Sequence, residues 1–252
     1  MARTARERSN TGIYHIMLRG INRQTIFEDN EDMIRFLDTL ARYKDDCLLE
    51  LYSYCLMGNH VHLLMKETAE PISKIIKRIC SSYVYWYNKR YERCGHLFQE
   101  RFRSEVVETD SYFLTVIRYI HQNPVKAKIV KTVEEYKWSS YKEYIEGPTF
   151  VSVDLGLSYF SKDRSRAVSL FTEFMHQDNK DKCLDIEEKI KLSDEEVRGH
   201  IRELGISDPT FFQQLDRCKR DCALNQLKKI EGITTRQIAR ITGISKSVVI
   251  RA

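Results

Sequence analysis

Hydrophobic residues in the first half of the chain recur with two periods, every second residue in some stretches and every third or fourth residue in others. The two-residue period is typical of strands with one buried face. It predicts a strand at residues 12–20, and three further stretches are also predicted to be strands, at 48–57, which is rich in Leu and Tyr, at 60–66 and at 97–108. The dipeptide Gly58-Asn59 lies between the second and third of these predicted strands and is typical of a tight hairpin turn.

Apolar residues at helical spacing separate these strands and predict three helices. The helices are expected from about residue 30, over residues 71–91, and over residues 110–122, where Pro124 is expected to end the third near Gln122. The resulting order, β-α-β-β-α-β-α, predicts an α+β fold. We expect a ferredoxin-like antiparallel sheet with helices packed on it.

The rest of the chain is predicted to be helical. Residues 177–190 are charged and poor in large apolar groups, which is typical of a linker. We therefore expect an α+β domain at 1–147, a helical extension and linker at 148–190, and a small all-α C-terminal domain at 191–252.

Composition narrows the class of protein. Hydrophobic residues make up 42% and aromatic residues 11% of the 252 residues, which is enough for a core and argues against wholesale disorder. The net charge of +5 permits a nucleic-acid partner without demanding one. Seven cysteines without tight paired spacing, no signal peptide and no membrane-spanning apolar run predict a reducing, cytoplasmic location and no membrane partner.

The sequence Asn59-His60-Val61-His62 begins the third predicted strand directly after the turn. Residues i and i+2 of a strand point to the same face, about 7 Å apart at the backbone. Two imidazoles placed in this way can share one divalent ion, so the pair predicts a metal site at His60 and His62. The motif is short, and two ordinary histidines at a hairpin edge are the alternative.

Phosphoryl chemistry would also need a nucleophile and a third ligand, and the third predicted helix offers Tyr119 and Asn123. Their i, i+4 spacing puts both on one helical face. A metal ion could polarise a phosphodiester while a tyrosine oxygen attacks the phosphorus. The chain has fourteen tyrosines, so chemistry alone does not choose Tyr119, and a tyrosine at helical spacing is more often part of a core.

Residues 233–252 give a second signal, the pattern of a helix-turn-helix. Thr235 is expected to cap the first helix, Gly243 to permit the turn and Ser245 to cap the second helix. The second helix would carry three outward residues toward DNA, namely Lys246, Ser247 and Arg251. A plain helical hairpin is the alternative.

Several stretches resemble the single-tyrosine HUH transposases, an insertion-sequence 200-like family, and in particular their REP-associated tyrosine transposase-like branch. They are YHIMLRGINRQTIFED at 14–29, SYCLMGNHVHLL at 53–64, GHLFQERFRS at 95–104, YIHQNPVKAKIV at 119–130 and YKWSSYKEYIEG at 136–147. In this resemblance His60 and His62 fall on the metal motif, Tyr119 on the nucleophile and Asn123 on a further metal-binding position. Gln122 is one residue out of register and receives no role.

The resemblance implies a transposase-like enzyme that cleaves and rejoins single-stranded DNA, with hairpin-forming repeats as its substrate. His60, His62 and Asn123 would hold magnesium or manganese, and Tyr119 would form a 5′-phosphotyrosine intermediate. Candidate phosphate contacts are Arg19 and Arg23, expected in a loop after the first strand, and Arg101 and Arg103.

Two other functions stay open. The first is a DNA-binding regulator without cleavage. The second is a metal-dependent nuclease without a covalent step, in which Tyr119 would be dispensable. Whether the protein works as a monomer or a homodimer is also open.

Overall fold

The computed structural model divides the chain into two compact units, Met1–Asp185 and Ile186–Ala252, and each is described by itself. The residues that the structure describes are 6–47, 49–99, 101–184, 192–206 and 208–252. The boundary between the units falls inside the charged stretch at 177–190, of which residues 185–190 lie outside the described residues.

The first unit is built on an antiparallel sheet. Its strands are β1 (Ile13–Arg19), β2 (Glu50–Met57), β3 (His60–Lys66) and β4 (Arg103–Val106). They lie in the order β2-β3-β1-β4, which is the strand order of a ferredoxin-like sheet. The predicted α+β class is confirmed.

The hairpin between β2 and β3 sets the register of the sheet. Met57 pairs with His60, so only Gly58 and Asn59 form the turn, as predicted. Because a strand alternates its side chains, this register puts His60 and His62 on one face of β3 and Val61 on the other.

Helices pack on this sheet and complete the first unit. They are α1 (Asn30–Cys47), α2 (Ile72–Arg90), α3 (Asp110–Lys126), α4 (Tyr141–Glu146), α5 (Asp154–Ser158) and α6 (Arg164–His176). Helices α1 and α2 pack against each other through Phe36 and Tyr83, whose ring centroids are 5.3 Å apart. Helix α3 packs on β2 and β3.

The fourth strand is shorter than predicted. Strand β4 begins at Arg103, whereas the sequence pattern placed its start at residue 97. Leu97 and Phe98 are both buried, although neighbouring residues of a half-exposed strand should point to opposite faces. Phe98 makes one isolated bridge, to Gly20, and the chain then leaves the ladder.

Helix α3 is longer than predicted and contains Pro124. The proline lacks the N–H that would otherwise donate to the carbonyl of Ile120. The helical hydrogen-bond pattern nevertheless continues after it, because the N–H of Ala127 donates to the carbonyl of Asn123 at 2.9 Å. Asn123 and Pro124 are buried, and this packing overrides the local preference of the residue before a proline for extended backbone. The prediction that the helix ends near Gln122 was therefore wrong, and Asn123 stays helical.

Residues beyond 147 also join the first unit. Phe171 of α6 stacks on Tyr144 of α4 with ring centroids 4.5 Å apart. Farther along, Asp181 accepts two hydrogen bonds from Arg118 of α3, at 2.8 and 3.0 Å. The helical extension therefore shares the core of the sheet, and residues up to 181 are fastened to it.

The second unit is helical in its described part. Its helices are α7 (Asp194–Glu203), α8 (Arg217–Lys229), α9 (Thr235–Thr242) and α10 (Lys246–Arg251). Gly243 links α9 and α10 with the left-handed φ of 71° that glycine favours. The Thr234 hydroxyl caps α9, in place of the predicted Thr235, and Ser245 precedes α10 without a side-chain capping bond.

In the described part of the chain, no helix is long and apolar enough to cross a membrane.

Candidate active site

Two histidines of β3 form the centre of the candidate site. The rings of His60 and His62 lie 5.1 Å apart and nearly perpendicular, at 86°. His62 is fully buried, whereas His60 keeps 8% of its surface exposed. The Nδ1 atom of His60 lies 2.7 Å from the Oδ1 of Asn59, so the turn residue orients this ring and directs the Nε2 edge away from the turn.

The environment of His62 keeps the ring neutral. Burial lowers its pKa well below the ordinary value, and the neighbouring His15 and His60 lower it further. The Nε2 atom of His62 is buried and has no hydrogen-bond partner among the residues that the structure describes. A neutral imidazole with such an atom is what a metal ligand requires, because the ligand must offer a lone pair.

Helix α3 brings a tyrosine to the same place. The helix begins after Thr109, whose hydroxyl accepts a hydrogen bond from the N–H of Tyr112. Tyr119 lies two to three turns farther on, with its ring centroid 5.6 Å from that of His62. The sequence-predicted nucleophile is thus brought together with the histidine pair in one protomer.

Asn123 follows one turn after Tyr119 and is 8% exposed, while Tyr119 is 4% exposed. Together with His60 they are the members of the group that reach the surface, so a substrate would approach from their side. The Nζ atom of Lys126, one more turn along, lies 5.0 Å from the centre of the Tyr119 ring.

Gln122 is engaged elsewhere, as its register predicted. Its Nε2 donates to the carbonyl of Met175 at 2.7 Å, and its Oε1 accepts from Asn179 at 2.7 Å. This face of α3 therefore binds the segment after α6.

Sequence reasoning missed His15 of β1. Its Nε2 lies 2.9 Å from the Nδ1 of His62, and its ring centroid is 5.8 Å from that of Tyr119. Strand alternation along β1 places His15 on the face opposite Tyr14, but a local pattern does not show that β1 and β3 are neighbours. Only the sheet order, with Met17 opposite His62, brings the two histidines together.

The four predicted arginines occupy different positions. Arg19 is the last residue of β1, directly opposite His60, and the prediction of a loop there was wrong because the ladder with β3 extends to it. Arg23 is exposed in a short 3-10 helix, where its φ is 63°. Arg103 is exposed in β4, opposite Met17, and Arg101 lines a cavity of about 500 Å³ beside Arg19.

The three predicted residues of the helix-turn-helix, Lys246, Ser247 and Arg251, are all exposed on α10 of the second unit. Ile238 and Ile241 of α9 point inward into that unit's core, together with Ile244. The exposure of Lys246, Ser247 and Arg251 agrees with the outward face predicted for the second helix.

The donor set suits a divalent metal ion. In the described part of the chain, no group of three or more His, Cys, Asp or Glu side chains could hold a metal ion. A site at the histidine pair would therefore need a different third donor, and Asn123, one turn after Tyr119, carries an amide oxygen. The open Nε2 position of His62 is the observation that favours such a site.

A ferredoxin-like sheet, a strand with paired histidines and a helical tyrosine beside them are the features expected from the resemblance to single-tyrosine HUH proteins. Residues 9–123 match the family described as transposase IS200 like. This part of the chain, which carries His60, His62, Tyr119 and Asn123, is therefore similar to the IS200-like transposases.

Two relatives extend the comparison. A protein of Haemophilus influenzae described as a REP-associated tyrosine transposase is 24% identical over 125 residues, which cover 44% of this chain and 70% of that protein. A solved structure of a REP-associated tyrosine transposase bound to a REP hairpin has a TM-score of 0.51 and 16% identity, and covers 74% of this chain and 100% of that chain. At this identity the structural likeness supports the fold.

Proposed function

We propose that this protein cleaves and rejoins single-stranded DNA through a covalent bond between Tyr119 and a 5′ phosphate. The observation that carries the proposal is the placement of the Tyr119 ring 5.6 Å from that of His62, one helical turn from Asn123. A phosphate gripped at the histidine pair would lie within reach of the phenol oxygen.

His60, His62 and Asn123 would hold magnesium or manganese. When bound, the ion would supply a positive charge that neutralises the scissile phosphate and makes its phosphorus more electrophilic. His62 contributes a neutral nitrogen because burial, by lowering its pKa, keeps it unprotonated, and Asn123 contributes a neutral oxygen.

Tyr119 supplies the nucleophile. Its oxygen forms a bond to phosphorus while the bond from phosphorus to the 3′ oxygen breaks, and the phenol proton leaves. The 5′ phosphate then remains on Tyr119, and a free 3′-OH is released. The Nζ of Lys126 lies 5.0 Å from the centre of the Tyr119 ring, and its positive charge would favour ionisation of the phenol.

The same bond makes rejoining feasible. The phosphotyrosine keeps the energy of the phosphodiester, so a 3′-OH of another strand can attack it and restore the DNA without a nucleotide cofactor. We propose hairpin-forming repeats as the DNA, since the structural relative is described as bound to a REP hairpin. Arg19 and Arg103 are candidate phosphate contacts because they lie on the histidine face of the sheet.

The second unit would add a further DNA contact. We propose that α10 enters a DNA groove with Lys246, Ser247 and Arg251, all of which are exposed.

Every cysteine whose side chain the structure describes is a free thiol, which fits the reducing, cytoplasmic location we propose.

The test is a cleavage assay with a labelled single-stranded hairpin oligonucleotide and Mn²⁺, resolved on a denaturing gel. Wild-type protein should form a covalent adduct, and Tyr119→Phe should form none. Tyr54→Phe is the matched control, because Tyr54 is also buried but pairs with Leu63, on the sheet face opposite the histidines.

The other outcomes point to the alternatives. Cleavage that survives Tyr119→Phe would indicate a metal-dependent nuclease without a covalent step. Binding without any cleavage by the wild-type protein would indicate a DNA-binding regulator.

A further inference from the structure

His15 and His62 form a buried pair of imidazoles behind the candidate metal site. The Nε2 of His15 and the Nδ1 of His62 are 2.9 Å apart, and both residues are fully buried. One hydrogen is shared between these two nitrogens, so the direction of the bond decides which nitrogen of neutral His62 carries its proton.

Glu105 of β4 lies on the far side of His15. Its Oε2 is 3.9 Å from the Nδ1 of His15, a distance at which a carboxylate attracts an N–H without a formed hydrogen bond. The same oxygen accepts a hydrogen bond of 2.9 Å from the backbone N–H of Leu184. Glu105 is opposite His15 in the β1–β4 register, so the sheet holds both in place.

These contacts distinguish the two tautomers. If the Nδ1 of His15 carries its proton, that proton faces the carboxylate, and the Nε2 of His15 accepts from the Nδ1–H of His62. In the opposite arrangement His62 would carry its proton on Nε2, where no described residue offers it an acceptor. The first arrangement is favoured because its outer N–H points at the carboxylate of Glu105, 3.9 Å away, whereas in the second the outer N–H points at no described acceptor.

We propose that His15, oriented by Glu105, is a positioning residue that fixes the tautomer and ring orientation of His62 so that its Nε2 lone pair faces Tyr119 and Asn123. The proposal rests on the proposed function, because it treats that lone pair as a metal ligand. Partners of this kind commonly contribute about 10- to 100-fold to metal affinity.

The first test needs no metal. Two-dimensional ¹⁵N–¹H NMR of the imidazole nitrogens in wild-type protein reports which nitrogen of His62 is protonated. Protonation at Nδ1 is expected. Protonation at Nε2 would overturn the proposal, whatever the protein does to DNA.

The second test measures Mn²⁺ binding by electron paramagnetic resonance. His15→Leu should weaken binding by about 10- to 100-fold, and His15→Gln should restore most of it because a glutamine amide can accept from the Nδ1–H of His62. Tyr14→Phe, at the next residue of β1 on the other face, should bind like wild type.

The outcomes separate this proposal from the proposed function. A folded His15→Leu variant that binds Mn²⁺ as tightly as wild type would overturn the role of His15. If His15→Leu does not fold, His15→Gln is compared with wild type, and a variant that keeps the His62 proton on Nδ1 but binds Mn²⁺ far more weakly than wild type would overturn the role. If wild-type protein binds no Mn²⁺ although His62 is protonated at Nδ1, the metal part of the proposed function fails and the positioning inference stands.

Discussion

At the scale of single residues, Gln122 and Asn123 are adjacent on α3 but point to different sides of the helix, so only Asn123 is proposed as a metal ligand. Gln122 is bound to Met175 and Asn179, whereas Asn123 lies one turn from Tyr119 on the histidine side. Asn123→Ala should weaken Mn²⁺ binding by about 10-fold or more, the loss expected for one polar contact to a charged group.

Gln122→Ala is the matched control for that prediction. It should leave Mn²⁺ affinity unchanged and lower the free energy of unfolding by about 1 kcal/mol, because the partly buried Met175 carbonyl and the Asn179 amide lose their partner. Isothermal titration and urea unfolding check the two variants. Equal Mn²⁺ affinity of both would contradict the assignment of Asn123.

The buried residue His121 is expected to make the stability of the folded protein depend on pH. It is fully buried, with its Nε2 2.8 Å from the Ser140 hydroxyl, and burial lowers its pKa to about 3. Unfolded chains bind a proton at about pH 6.5, so the folded state holds fewer protons between about pH 6.5 and 3. Its contribution to stability is therefore complete above about pH 6.5 and declines as the pH falls, by at most about 1.4 kcal/mol per pH unit.

The variant His121→Gln isolates this contribution. Glutamine keeps a donor near Ser140 but does not titrate, so unfolding free energies measured between about pH 7 and 4.5 should fall less steeply than in wild type. The same slope in both proteins would show that the buried ring does not govern the acid response.

The residues of the site were predictable to different degrees. His60 and His62 stand out because a tight turn precedes them, and Tyr119 and Asn123 follow from the resemblance. His15 and Glu105 gave no such signal, because their roles depend on which strands are neighbours and in what register. Those facts are set by long-range packing and are absent from local patterns.

At the scale of elements, local patterns predicted where strands and helices exist better than where they end. The hairpin at Gly58-Asn59 follows directly from turn chemistry. The ends of β4 and α3 do not, because Phe98 is buried by tertiary contacts and Pro124 is held inside a packed helix. Burial outweighed local preference at both places.

Two glycines of the second unit should respond in opposite ways to substitution by alanine. Gly243 has a φ of 71°, a left-handed conformation that alanine adopts only with strain, so Gly243→Ala should destabilise the unit by about 1 kcal/mol or more. Gly199 lies inside α7 with open space around it, so Gly199→Ala should stabilise the unit by about 0.5–1 kcal/mol.

Thermal unfolding of both variants beside wild type tests this pair. Two shifts of the same sign would show that the turn between α9 and α10 is not the one described.

At the scale of the whole molecule, the first unit is expected to cleave single-stranded DNA and the second unit to bind duplex DNA. Replacing Lys246 and Arg251 together by alanine should weaken duplex binding and reduce the salt dependence of the affinity by about 1 unit of slope for each phosphate that is no longer neutralised. Adduct formation on a short single-stranded substrate should keep its rate, because the candidate chemistry lies in the first unit.

The control removes the same charge elsewhere in the second unit. Arg217→Ala with Lys219→Ala, both exposed at the start of α8, should change the salt slope less. Equal effects of the two double variants would mean that net charge, rather than α10, governs binding.

The central claim is that the phenol oxygen of Tyr119 becomes covalently bonded to the cleaved DNA. After cleavage of a hairpin oligonucleotide with Mn²⁺, the adduct is digested with trypsin and nuclease and mapped by mass spectrometry. The account predicts a residual nucleotide 5′ phosphate on the peptide of residues 119–126, which contains Tyr119 and no other tyrosine. Attachment to a peptide carrying Tyr112 or any other tyrosine, or cleavage that leaves no nucleotide on the protein, would contradict it.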